Sequence, residues 1–375
     1  MKDWITGQQL INRFEEEFAP KKLAFPKDKI GLLIGSLSQP VKRVMVTLDV
    51  LENVADEAIS KKVDLIVAHH PVIFHPLAQV RADEGQGKIV TKCIKNGISV
   101  YAAHTNLDIA DGGVNDMLAA KLELEDVTIL KETYREPLYK LAVFVPENHA
   151  DSVRGVLGAA GAGTIGRYKQ CSFSSDGEGA FQPQQGAHPF IGAEGRLEKT
   201  AEIKIETIVP EHLLKSVIRK MLKVHPYEEP AYDVYPLQNE GKAYGLGRIG
   251  RLPEPIAFSD YCRMVKDRLG IDGLRATGDM NGKVQTVAVS GGDGNSLIPF
   301  ARFHGADVLI TGDIYYHTAH DALLCGLKLI DAGHHIESVM KTGVQHFLQS
   351  VIAEEGCRTE VIQSEAPTNP FHFIV

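Results

Sequence analysis

Cysteine is scarce in this 375-residue chain: the five present, Cys93, Cys171, Cys262, Cys325 and Cys357, are odd in number, far apart and never in a C-x-x-C pair. That argues against a disulfide framework and against a thiolate zinc site. A basic excess is missing as well. Forty Lys and Arg stand against 48 Asp and Glu, a formal net charge of −8, so a general binder of nucleic acid or of anionic membranes is not expected. No apolar run approaches the roughly 18 residues of a membrane helix, and Met1-Lys2-Asp3-Trp4 places charge where a secretory leader carries apolar residues. The expectation is a cytoplasmic protein without a membrane partner. With 44% hydrophobic and 23% charged residues it is globular, and its length suggests two or three domains.

What is present is a repeating order of strand and helix. Residues 43–49, 63–68 and 98–103 are apolar runs, with helical spacing over 51–62 and 87–96 between them. The order returns as strands 284–290, 306–311 and 327–332, with helices over 295–304 and 316–325 between them and a long helix over 337–354. Continuous apolar strands separated by amphipathic helices imply a mostly parallel sheet covered on both faces. The halves also echo each other. Val63-Asp64-Leu65-Ile66-Val67 matches Ala306-Asp307-Val308-Leu309-Ile310, and Gly97 begins a strand that reaches His104 as Gly326 begins one that reaches His334.

Between the halves the texture changes. The run from Gly158 to Gly195 interleaves glycines with Tyr168, Phe173, Phe181 and Phe190, and residues 201–209 alternate apolar with polar before a helix from Glu211 to Val224. Such alternation marks a half-exposed antiparallel strand, so an inserted α+β domain is expected. Its glycines read as turn and bulge positions. The fold class implied is α/β: a pseudo-duplicated three-layer α/β core with an inserted α+β domain.

Three strand ends deliver imidazole and carboxylate to one rim of the sheet. His69 and His70 follow the strand 63–68, His104 and Asp108 follow 98–103, and His334, His335 and Glu337 follow 327–332. The carboxyl ends of parallel strands form the ligand crevice of such folds. A nitrogen and oxygen donor set suits Zn, Fe, Mn, Co or Ni. Three imidazoles and two carboxylates exceed what one catalytic metal with open positions needs, and suffice for two metals about 3.5–4 Å apart that share a carboxylate. The chain also carries two glycine motifs. Gly245-Leu246-Gly247-Arg248-Ile249-Gly250 matches G-x-G-x-x-G, but Arg251-Leu252-Pro253 comes next in place of a helix, which speaks against a dinucleotide site. Ser290-Gly291-Gly292-Asp293-Gly294-Asn295-Ser296 sits between a strand and a helix, where backbone N–H groups can hold an anion.

Taken in order, Gly31-Leu32-Leu33-Ile34-Gly35, Ala68-His69-His70-Pro71, His104-Thr105-Asn106-Leu107-Asp108, Thr311-Gly312-Asp313 and Gly333-His334-His335-Ile336-Glu337 resemble the Nif-three-like family, also labelled type-2 GTP cyclohydrolase homologues. The segment ending in His225-Pro226-Tyr227-Glu228-Glu229-Pro230 resembles the PII/CutA-like insert of the longer, YqfO-like bacterial members. The resemblance implies a discontinuous metal-binding domain of residues 1–126 plus 246–375, with residues 127–245 inserted. It implies a dinuclear centre of two divalent ions, zinc first, with ligands at His69, His70, Asp108, His334 and Glu337. In shorter members the last glutamate stands four residues after its histidine; here His334 and Glu337 are three apart, and His334 is taken as the ligand because it directly succeeds the glycine.

The resemblance further implies a toroidal homohexamer and a metal-dependent hydrolase acting on a nucleotide or phosphorylated small molecule. His104 and His317 are the expected proton carriers, with a hydrogen-bonding role behind the ligands as the other reading of His104. Asp313 is expected either to line the cavity or to cap the helix after it. The alternative function is a regulatory or metal-handling assembly without turnover.

Overall fold

The computed structural model describes residues 3–374, so Met1 and Lys2, which open the charged N-terminal segment, lie outside the described residues. The chain forms two compact units. One comprises the chain up to Tyr134 and from Tyr244 onward, and the other is Arg135–Ala243.

In the discontinuous unit the first three apolar runs become the strands Arg43–Thr47, Leu65–Ala68 and Ser99–Ala102, parallel and in sequential order within a five-stranded sheet. Gly31–Ile34 lies antiparallel beside the third of them. A six-stranded sheet repeats the pattern with Lys283–Asp293, Val308–Gly312 and Lys328–Asp331, again parallel and sequential. Arg275–Thr277 lies antiparallel beside its third strand. The duplication therefore holds in topology as well as in sequence: each half closes with an antiparallel edge next to the same strand.

All four residues of Leu65–Ala68 are buried, because side chains leave a strand on both faces and both are covered. Leu65 and Val67 join a core that also holds Val287, Val289 and Ile310 of the other sheet, Phe14 of the helix Gly7–Glu17 and Leu348 of the helix Met340–Glu355. Ile66 and Ala68 turn the other way, against Val54 of the helix Glu52–Ser60 and Val90 of the helix Gly85–Lys95. On the far side of the second sheet Leu309 and Leu329 meet Ala301 of Ile298–Phe303 and Ala322 of Tyr316–Leu324. Each half is a helix layer, a sheet and a helix layer, and the inner helices serve both. All five cysteines are free. No helix among the described residues is long and apolar enough to cross a membrane.

The G-x-G-x-x-G stretch lies inside the strand Ala243–Ala257, so no helix follows its last glycine. Its Arg248, 3% exposed, grips Asp116 through Nε at 2.6 Å and Nη2 at 2.8 Å, and donates from Nη1 to the carbonyls of Gly245 and Gly247. Arg248→Met takes the guanidinium donors from both glycine carbonyls and leaves Asp116, itself partly exposed, with the Gly112 N–H, and losing such bonds costs about 1–3 kcal/mol. Calorimetry should show a clearly lowered unfolding transition, and an unchanged one would refute the role given to Arg248.

The strands Glu125–Arg135 and Ala243–Ala257 are neighbours in the six-stranded sheet, and the chain leaves for the second unit from one and returns through the other. The expected joints, after 126 and 245, fall inside these two strands. The second unit is an antiparallel sheet in the order Tyr232–Pro236, Leu138–Pro146, Glu198–Pro210, Ser172–Phe181. The helices Ala150–Ala159 and Glu211–Val224 cover one face through Val153, Leu157, Val217 and Met221. It is α+β, as the alternation over 201–209 predicts.

Candidate metal centre

His69 and His70 continue the ladder of their strand, with backbone N–H bonds to Thr47 and Leu48 carbonyls at 3.1 and 2.9 Å, so both side chains are set by the sheet. His104 caps the short helix Thr105–Ile109, which holds Asp108 in its first turn. Glu337 lies in a 3-10 helix, His334–Val339, where the sequence pattern suggested that the long helix begins. A 3-10 helix has three residues per turn, so positions i and i+3 eclipse. That geometry stacks His334 and Glu337, and it accounts for a spacing of three in place of four.

Four imidazoles are held alike. The Nδ1 of His69 bonds to the Ala103 carbonyl at 2.8 Å, that of His70 to Asp49 at 2.7 Å, that of His104 to Asp28 at 2.9 Å and that of His334 to Asp313 at 2.6 Å. Each of these oxygens accepts the Nδ1 proton, which leaves Nε2 for the shared space. Anchoring one ring nitrogen on a carboxylate or carbonyl is how proteins orient metal-ligating histidine. Glu337 Oε2 lies 3.0 Å from His70 Nε2, 3.2 Å from His334 Nε2 and 3.6 Å from His69 Nε2, and Asp108 Oδ1 is 3.4 Å from His69 Nε2. His69 Nε2 and Asp108 Oδ1 are buried and have no hydrogen-bond partner among the described residues. Two buried polar atoms left without partners in this way are costly unless a further group completes them.

The electrostatics favour cations at this rim. Glu337 is fully enclosed, and although burial works to raise its pKa, the imidazoles of His334, His69 and His70 hold it well below the usual carboxylate range. Burial pushes Asp108 up to about 6 against the pull of His69. Burial also opposes charge on His70, yet Asp49 and Glu337 hold its ring at about 10, while Glu337, aided by Asp313, raises His334 to about 9. The rim thus attracts positive charge, either as protons on imidazole or as a metal ion. Among the described residues three groups have donor atoms within 4.8 Å of one another: His69, Asp108 and Glu337; His70, His334 and Glu337; and His69, His70 and His104.

All five predicted ligands and His104 are therefore brought together. His317 is not. It is exposed on the helix Tyr316–Leu324, edge-on to Tyr316, and belongs to none of the three groups. His335 is likewise outside them, its pKa lowered by burial. Asp313 orients His334, and the next helix is capped by Tyr315 without a side-chain bond. In the Ser290–Ser296 turn the N–H of Asn295 donates to Asp293 and that of Gly291 to Asn115, so neither is free for an anion. The glycines there serve Glu337. A Cβ on Gly291 would lie 2.9 Å from its Oε1 and one on Gly292, at φ +59°, 2.7 Å away. Gly292→Ala is expected to displace the carboxylate and weaken metal binding by about 10- to 100-fold. Calorimetric titration checks this, and wild-type affinity would refute it.

Sequence reasoning missed Asp28 and Asp49. Asp49 closes the apolar run 43–49, so a carboxylate at a strand end was its signal; Asp28 sits in an irregular segment and has none.

A family model, Duf34/NIF3 (NGG1p interacting factor 3), matches residues 5–370. The chain is 51% identical over 370 residues to the GTP cyclohydrolase 1 type 2 homolog of Bacillus subtilis, covering 99% of each. Among solved structures, a Bacillus cereus protein related to NIF3 superposes with a TM-score of 0.94 at 49% identity over the whole of both chains. The Staphylococcus aureus protein SA1388 does so at 0.79 and 30%, again over both whole chains.

Proposed function

The chain belongs to the Duf34/NIF3 family, and from that premise we propose a dinuclear metal centre serving hydrolysis of a nucleotide or phosphorylated small molecule. The carrying observation is the buried, unpartnered pair His69 Nε2 and Asp108 Oδ1, facing Glu337. His69, Asp108 and Glu337 would hold one divalent ion, and His70, His334 and Glu337 the other, the carboxylate being shared. Zinc suits these donors, as do Fe, Mn, Co and Ni. When bound, such a pair supplies Lewis acidity and a nucleophile at neutral pH.

The protein's own groups supply the rest. His104, anchored at Nδ1 on Asp28, presents Nε2 to the rim and holds or delivers the proton that the leaving group needs. Thr105 donates its N–H and hydroxyl to the same Asp28, which fixes that carboxylate. A purine nucleotide is the first substrate to try, given the name carried by the Bacillus subtilis relative. The working assembly in this reading is a homohexamer.

Elemental analysis combined with anomalous diffraction tests the centre: two ions per chain at these five residues support it, and fewer than one, or density elsewhere, would sink it. Turnover is tested by screening metal-replete protein against nucleotides and phosphoesters. A second reading, regulation without turnover, is favoured by one observation: the inserted unit has a large cavity of its own. Ligand binding with no metal-dependent product across the whole screen would favour it over hydrolysis.

A further inference from the structure

The sheet of the inserted unit has two unlike faces. Helices cover one; on the other, the strands Leu138–Pro146, Glu198–Pro210 and Ser172–Phe181 floor a cavity of about 900 Å³, within the size range of small-molecule sites. Side-chain alternation puts Phe144, Glu202 and Lys204 on this face, away from the core residues Val143, Val145 and Ile205. Strand register sets Glu202 opposite Gly177 and Thr200 opposite Gly179. A Cβ on Gly179 would stand 2.4 Å from Glu202 Oε2. Gly179 of the glycine-rich run therefore leaves bare backbone beside this carboxylate, as glycine in a strand often does where another group approaches.

Glu202 is only 9% exposed, and the Tyr227 hydroxyl donates to its Oε1 at 2.8 Å. The rings of Phe181 and Phe190 flank Tyr227, with centroids 5.8 and 6.3 Å away. Glu228 accepts the N–H of His188 at 2.9 Å, which ties the segment 182–191 to the tyrosine wall. The lining also includes Asp176, Glu178 and Glu229. Its single lysine, Lys204, lies 3.3 Å from Glu206. Among the described residues no cation pairs with Glu202. A buried carboxylate without a counter-charge is costly, and aromatic faces attract organic cations.

We propose that this cavity binds a small organic cation, an amine or quaternary ammonium with an apolar or aromatic body, with Glu202 as counter-ion and Phe181, Phe190 and Tyr227 as walls. The excess of carboxylates disfavours nucleotides and phosphate here. The site is independent of the metal centre, none of whose donors lines it.

Calorimetry on the full chain with benzyltrimethylammonium tests it, benzoate and benzyl alcohol serving as the anionic and neutral counterparts. The expected result is saturable binding at millimolar concentration or below, not displaced by either counterpart. Glu202→Gln, which keeps an acceptor for Tyr227, should weaken binding by about tenfold or more. Phe190→Leu changes a ring that is half exposed, so folding does not hinge on it, and should weaken binding about two- to fivefold. Absence of saturable binding, an undiminished response in Glu202→Gln with native circular dichroism, or displacement by benzoate or ATP would overturn the proposal. So would a site that takes calcium or manganese and not the ammonium.

Discussion

In the proposed dinuclear centre, Glu337→Gln should strip both ions, lowering affinity by about 100-fold or more at each, at least the upper end of what loss of a supporting group costs a metal site. The expectation comes from one oxygen. Oε2 of Glu337 faces the Nε2 atoms of His69, His70 and His334 within 3.6 Å, so it belongs to both donor groups at once. Glutamine keeps the shape and removes the charge. It also turns an amide toward imidazole nitrogens that need an acidic partner or a cation, so no new arrangement replaces the old. Elemental analysis after gel filtration gives the answer, together with a thermal transition that should match metal-free wild type. One firmly retained ion per chain would mean that the carboxylate is not shared, and the dinuclear assignment would fall.

His104→Ala should lower turnover of whichever substrate the screen identifies by about 10² to 10⁴, the usual contribution of a positioned acid or base, while metal content stays at the wild-type level. The ring is edge-on to His69 and His70, with centroids 5.3 and 5.7 Å away, and one nitrogen is committed to Asp28. A ring nitrogen of His104 lies within 4.8 Å of donor atoms of the same two histidines, close enough to share an ion with them, so the measurement discriminates. If the ions leave with the ring, His104 is a ligand and not a proton carrier. Asp28→Asn sharpens the result. An amide can offer an N–H to Nδ1 and turn the ring's proton to Nε2, so this variant should also lose turnover, by about tenfold or more, with its metal intact.

Much of this was legible in the chain because the parallel strands are buried on both faces. A run such as Leu65-Ile66-Val67-Ala68 has few other places to go, and the residues directly after it must stand at the rim. That logic reached His69, His70, His104, Asp108, His334, His335 and Glu337 together, and only the family resemblance chose His334 over His335. It failed where the partner lies far away in sequence and no period marks it: Asp28 meets His104 across 76 residues. It failed at Gly291 and Gly292 for a different reason. A strand-to-helix turn, a phosphate cradle and clearance for a carboxylate ask for the same residue, and only the position of Glu337 tells them apart. His317, expected beside the centre, lies exposed on a helix outside the three donor groups.

The paired strands that send the chain out and receive it back bear on how the protein folds. An unstructured excursion of roughly a hundred residues would impose a loop-closure penalty on joining Glu125–Arg135 to Ala243–Ala257. Once the insert is folded its two ends are already hydrogen-bonded, Glu136 N–H to the Lys242 carbonyl at 2.9 Å, and the excursion behaves as a tight turn. The inserted unit is then expected to fold first and to template the register of the sheet it interrupts. Destabilising its core, for instance through Val217, would slow assembly of a sheet it does not belong to.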